Sequence, residues 1–111
     1  MENIAIQKKS QTKKFLLLEI FPSLTSHILL KNKPNPFQKE TLIQFNIPQM
    51  GNVKIKIQDS LGEVIATLLC QRLPRGEYQI CWDCDNLPAG GYLCVLYFND
   101  LTEILDMDLL G

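Results

Sequence analysis

A chain of 111 residues has the length of one domain and is too short for a multidomain enzyme. With 46% hydrophobic and 21% charged residues it can bury a core of its own, and a formal charge of −1 gives no electrostatic footprint for nucleic acid. No apolar run approaches the roughly 18–20 residues that a membrane-crossing helix requires.

The charge is unevenly spread. Residues 1–40 hold seven Lys against three Glu, and residues 41–111 hold four basic against nine acidic side chains. The basic stretch Lys8, Lys9, Lys13, Lys14 followed by Phe15-Leu16-Leu17-Leu18 imitates a secretory signal, but Glu19 interrupts the apolar run, Pro22 follows, and no Ala-x-Ala-like cleavage site precedes His27. Residues 1–25 are therefore expected to be a basic, flexible arm or the remnant of an upstream domain, poorly ordered at least through Thr12, with Phe15–Ile20 as a brief helix or strand.

From residue 26 to residue 111 short strands alternate with turn chemistry. His27-Ile28-Leu29-Leu30 reads as a first strand, ended by Lys33-Pro34-Asn35-Pro36, which cannot be a central strand because two prolines lack backbone donors. In Thr41–Ile47 the side chains of Thr41, Ile43, Phe45 and Ile47 share a core-directed face. After the turn Gln49–Asn52, Val53–Gln58 alternates strictly, with Lys54 and Lys56 towards water. Asp59–Glu63 makes a tight connection in which Gly62 can take positive φ, and Val64–Leu69 returns as its hairpin partner. Leu73–Gly76 turns into Tyr78–Asp83, where Tyr78, Ile80 and Trp82 share one face and Cys81 takes the other. Leu87–Gly91 leads into Tyr92–Phe98, apolar on both faces; Asn99-Asp100 turns, and Glu103–Leu110 is the last strand. About seven strands and no amphipathic helix predict an all-β, immunoglobulin-like antiparallel sandwich.

Chemistry-bearing constellations are sparse. Cys81-Trp82-Asp83-Cys84 has the spacing of a metal knuckle or redox pair, and Cys70 with Cys94 could complete four thiolates, but a second short-spaced pair is missing and the first straddles a strand end instead of a helix start. Separate thiols filling apolar space are favoured over disulfides, of which four cysteines permit three pairings, and over a metal site. His27 is the only histidine, and no nucleophile has a base beside it at motif spacing, so no catalytic residue is assigned. The aspartates lack an EF-hand spacing; Asp83-Cys84-Asp85-Asn86 is the best oxygen-rich loop among them, and a solvated acidic face is the plainer reading. Gly90-Gly91 precedes a strand, whereas a phosphate cradle needs a helix amino terminus. No cofactor, metal or small-molecule substrate is expected.

Several segments line up in order: Lys33-Pro34-Asn35-Pro36-Phe37 before a strand, Gly51–Val64, Gly76–Asp83, Leu87-Pro88-Ala89-Gly90-Gly91-Tyr92, and a terminal Met107-Asp108-Leu109-Leu110. Together they resemble the C-terminal sorting domain of cargo exported by the type IX secretion system, which is similar in pattern to the immunoglobulin-like domain of flagellar hook-capping proteins. The resemblance covers residues 26–111. It implies a noncatalytic β-sandwich recognised by an outer-membrane translocon, commonly removed afterwards by a sortase-like peptidase, and hence export through the periplasm to the cell surface or beyond. In that family a large cargo and a signal peptide precede the module, so this chain reads either as a detached fragment left in the cytoplasm or as a module standing alone. The alternative function is a structural or assembly module of the hook-capping or adhesive kind.

Pro34, Asn35, Pro36, Phe37, Gly62, Trp82, Gly90 and Tyr92 carry the resemblance, and each also has a place in a sandwich: prolines set the lead into a strand, glycines permit turns, and aromatic rings fill the centre. The final strand, with Ile104, Met107, Leu109 and Leu110, is expected to be the edge that a receptor engages.

Overall fold

The computed structural model describes residues 4–8, 28–84 and 86–110. Among these residues there are eight strands and no helix: β1 (Ile4–Lys8), β2 (Leu30–Lys33), β3 (Glu40–Ile47), β4 (Gly51–Gln58), β5 (Val64–Leu73), β6 (Gly76–Asp83), β7 (Gly90–Phe98) and β8 (Leu101–Leu109). They form two four-stranded sheets, ordered β1-β6-β3-β2 and β5-β4-β7-β8, with antiparallel pairing between neighbours. The all-β sandwich read from the sequence is what the chain forms.

Strict alternation explains which side chains enter the core, because successive residues of a strand point to opposite faces. Val53, Ile55 and Ile57 of β4 are buried while Asn52, Lys54, Lys56 and Gln58 face outwards; Tyr78, Ile80 and Trp82 of β6 are buried with Ile43 and Phe45 of β3 beside them. Trp82, Ile80, Ile43, Ile55, Ile57 and Leu96 are sealed from solvent entirely. Burying such side chains is worth about 1.5–3 kcal/mol each, and this term holds the two sheets together.

Hairpins join β2 to β3, β4 to β5 and β7 to β8, while the β3–β4, β5–β6 and β6–β7 connections cross between sheets. In the β4–β5 hairpin Asp59 Oδ1 accepts from the amides of Leu61 and Glu63, both at 2.9 Å, and Gly62 takes φ 84° with its N–H donating to the Asp59 carbonyl at 3.0 Å. That positive φ is why a glycine stands at this position. The β7–β8 turn places Asn99 at φ 51°, which asparagine tolerates better than most residues.

The structure departs from the sequence reading in three places. The first strand of the domain is Leu30–Lys33 instead of His27–Leu30: its register is set by β3, with Leu30 opposite Phe45 and Lys33 opposite Leu42, so the partner and not the local apolar run fixes its limits. The amino-terminal arm, expected to be poorly ordered through Thr12, contributes β1, whose Ile4 to Lys8 run opposite Trp82 to Tyr78 and extend the sheet beyond β6. An otherwise bare strand edge is satisfied by backbone pairing whatever the flanking charge. The expected segment Phe15–Ile20 and His27 lie outside the described residues. Finally, the Lys33-Pro34 and Asn35-Pro36 peptide bonds are both cis, which the sequence reading did not anticipate.

Candidate functional site

The residues singled out in the sequence gather around one end of β8. Asn35 accepts a hydrogen bond from the Asp108 N–H through Oδ1 at 3.0 Å and donates from Nδ2 to the Asp106 carbonyl at 3.1 Å. Two residues on, the Phe37 N–H donates to the Asp108 carbonyl at 2.9 Å and the Leu110 N–H donates to the Phe37 carbonyl at 2.7 Å, a parallel bridge between Phe37 and Leu109. The segment therefore imitates one more strand along the outer edge of β8, with the Asn35 carboxamide taking the place of a peptide unit. Only a side chain carrying both a donor and an acceptor can do this. The Pro34 carbonyl accepts from Thr41 Oγ1 at 2.9 Å and from Asn32 Nδ2 at 3.2 Å, tying the same segment to β2 and β3.

Beneath the cap, aromatic rings connect both sheets. Phe37 is buried and lies 5.9 Å from Trp82, and Trp82 meets Tyr92 edge-on at 6.2 Å. Trp82 Nε1 is buried with no hydrogen-bond partner among the described residues, so its ring acts as a space-filler. Tyr92 donates its hydroxyl to the Pro88 carbonyl at 2.5 Å, and Tyr78 does the same to the Pro74 carbonyl at 2.6 Å. The two corners have one pattern, Leu-Pro-x-Gly-x-Tyr, at Leu73–Tyr78 and Leu87–Tyr92. This repeat is visible in the sequence and was missed there because each copy was taken as an isolated turn. Gly90, at φ 145°, opens β7 opposite Leu109, and burial pushes the Tyr92 and Tyr78 hydroxyls up from their ordinary values.

Cap, corner and hairpin come together at this end. A shallow hollow on it is lined by Asp59, Ser60 and Gly62 from the hairpin, Tyr92 from β7, and Asp106 and Asp108 from β8. The expected recognition strand is divided. Ile104 is 62% exposed and Leu110 48%, but Met107 and Leu109 are 1% and 5% exposed and belong to the core. They were grouped with the surface residues because β8 is an edge; at this end of the strand Met107 and Leu109 nevertheless face the opposite sheet.

The edge itself is half occupied. Asp108 uses both its backbone N–H and its carbonyl on the cap, so it is one of the β8 residues that do not bond to β7. In an antiparallel pair these residues alternate, which points the N–H and C=O of Thr102 and Ile104 away from β7 as well. The cap reaches only as far as Asp106, and among the described residues Leu101–Leu105 is an uncapped run of edge.

The cysteines do not converge. No disulfide joins the four: Cys70 is exposed, Cys81 partly exposed, Cys84 and Cys94 buried. Cys84 Sγ donates to the Lys39 carbonyl at 2.9 Å, whereas Cys81 lies on the other face near Glu40 Oε2 at 3.8 Å, so the Cys-x-x-Cys spacing places its two thiols in different surroundings. Burial, then the Glu40 carboxylate and the hydrogen bond to it, then Asp83, raise the Cys81 thiol; burial alone pushes Cys94 up to about 12. Among the described residues no three metal-ligating side chains cluster, and Asp85 of the oxygen-rich stretch lies outside them.

Fold and site together define a small antiparallel sandwich module whose β8 is stapled at one end and, among the described residues, open at the other. The chain belongs to the secretion system C-terminal sorting domain family, whose model matches residues 34–104. Membership implies a C-terminal sorting signal for type IX secretion, interaction with that secretion system, and export to the cell surface or outside. The match begins at Pro34, the start of the cap, and ends at Ile104 on the uncapped half of β8. A comparison with curated proteins finds no match.

Proposed function

We propose that the chain is a noncatalytic sorting module read by the outer-membrane translocon of type IX secretion through the uncapped half of β8, and that a sortase-like peptidase then separates it from what it carries. The observation carrying this reading is the asymmetric edge. The cap from Asn35 to Phe37 covers Asp106–Leu110, while Thr102 and Ile104 present outward backbone groups beside the exposed Leu101 and Ile104 side chains. A strand edge of this kind takes an added strand, with main-chain hydrogen bonds supplying affinity and an apolar side chain supplying specificity. The noncatalytic character is supported by the described thiols: they are dispersed, and the one beside a carboxylate, Cys81 near Glu40, is raised by burial and by that carboxylate, which disfavours its thiolate.

The immunoglobulin-like kinship with hook-capping domains is part of the same proposal. It is supported by the antiparallel set β2-β3-β6, which β1 extends at the β6 edge, in one sheet and β5-β4-β7-β8 in the other, and by a tyrosine corner at Tyr92, two residues before Cys94.

The test is fusion of the chain to the carboxyl end of a periplasmic reporter in a host competent for type IX secretion. The proposal expects the reporter on the surface or in the medium, and its retention in the periplasm, beside a known sorting domain that is exported, would refute it.

A further inference from the structure

The outer face of the β5-β4-β7-β8 sheet is polarised along its strands. Near the start of β4 a shallow hollow is lined by Lys54, Lys56 and Arg72 with Tyr97 and Asn99, and no carboxylate lines it; Asp100 stands on the β7–β8 turn beyond its rim. At the other end of the same sheet the hollow is lined by Asp59, Asp106 and Asp108 and by no lysine or arginine among the described residues. Between them the register places Leu93, Val95 and Ile104 side by side on the outer face, Val95 opposite Ile104 and Leu93 opposite Asp106. Val95 is buried opposite Lys56, so the apolar surface between the two charges is that of half-buried Leu93 and exposed Ile104.

Such a face is complementary to itself when turned end for end. The basic corner lies on β4 and β5 and the acidic one on β8, so a two-fold axis running obliquely across the strands near Val95, perpendicular to the line joining the two corners, would set the basic corner of one copy over the acidic corner of the other, twice, with Leu93 and Ile104 between them. Lys56 leans away from that axis, its Nζ standing 6.0 Å from the Tyr97 ring centroid, which moves its charge towards the basic end. The floor of the basic hollow is β4, paired on both sides by β5 and β7, so an added peptide strand finds no free backbone there and recognition falls to side chains.

From these observations we propose that this face docks on the same face of a second copy, forming a weak, salt-sensitive two-fold dimer. Four strands about 4.8 Å apart and seven residues at about 3.4 Å each outline roughly 450 Å² per copy, so the dimer buries roughly 900 Å², within the transient class. The sorting proposal uses the edge of β8; this one uses the sheet face, and neither depends on the other.

Sedimentation equilibrium of the full chain tests it. The wild type is expected to show a monomer–dimer equilibrium whose dissociation constant rises at least about tenfold when salt is raised from about 50 to about 500 mM. The concentration-dependent amide shifts of the wild type are expected at Lys54, Tyr97, Leu93 and Asp106. Lys54→Glu with Lys56→Glu, and separately Asp106→Lys with Asp108→Lys, are each expected to be monomeric, while an equimolar mixture of the two folded variants restores the dimer. A strictly monomeric wild type, a dimer that survives either reversal, or shifts confined to other faces would overturn the proposal.

Discussion

Asn35 stands beside Asp108 as a peptide group would, its Oδ1 accepting from the Asp108 N–H at 3.0 Å while its Nδ2 donates to the Asp106 carbonyl at 3.1 Å. One side chain thereby protects the outer edge of β8, which among the described residues has no further strand to cover it.

Replacing this carboxamide separates its two contributions. Asn35→Asp keeps the acceptor and turns the donor into an oxygen facing the Asp106 carbonyl, so it is expected to lower stability by about 1–2 kcal/mol and to speed amide exchange at Asp108 and Leu110. Exchange that accelerates across all of β8 would instead mean that the strand is held mainly by β7.

The two tyrosine corners give a paired test. Tyr92→Phe and Tyr78→Phe each remove one short hydroxyl-to-carbonyl hydrogen bond, at 2.5 and 2.6 Å, and preserve the ring. Each is expected to lower the unfolding free energy by about 1 kcal/mol in urea denaturation, and the double variant by nearly the sum, because the corners lie on different connections.

Thiol chemistry follows burial. In the native protein a thiol reagent is expected to label Cys70 quickly, Cys81 more slowly, and Cys84 and Cys94 only on unfolding. Cys94 is held protonated up to about 12 against an ordinary 9.0, because burial disfavours the thiolate. Its folded pKa being the higher one, its contribution to stability is fully present below about pH 9 and is lost as pH rises towards about 12, with a slope of about 1.4 kcal/mol per pH unit. Cys94→Ala should flatten that part of a stability-against-pH curve.

Met107 separates packing from recognition. It is 1% exposed between the sheets, so Met107→Ala is expected to lower stability by about 2–5 kcal/mol, measured by urea denaturation. A loss below about 0.5 kcal/mol would mean that the site collapses around the cavity or that Met107 is not packed as described.

Much of this was legible in the sequence. The period-two alternation of Val53–Gln58 and of Tyr78–Asp83 gave the strands, their faces and the central position of Trp82, because burial on one side of a sheet leaves that signature directly. The motif residues Pro34 to Phe37 were recognised, but their work was not: a carboxamide imitating a strand depends on an edge 71 residues away, and no local pattern announces it. The same holds for β1, whose place is fixed by the open edge of β6, and for Met107 and Leu109, whose strand presents different residues to core and solvent. The repeated Leu-Pro-x-Gly-x-Tyr, by contrast, was open to view and required only that two turns be compared.

The edge account is tested most directly by Ile104→Pro in the exported reporter fusion. The Ile104 N–H points away from β7, so proline removes an outward donor without breaking the β7–β8 ladder, and the melting temperature should fall by no more than about 5 °C. The account predicts a folded domain whose export drops at least tenfold, a loss of about 1.4 kcal/mol or more in recognition. A folded Ile104→Pro fusion exported as efficiently as the wild type would contradict it.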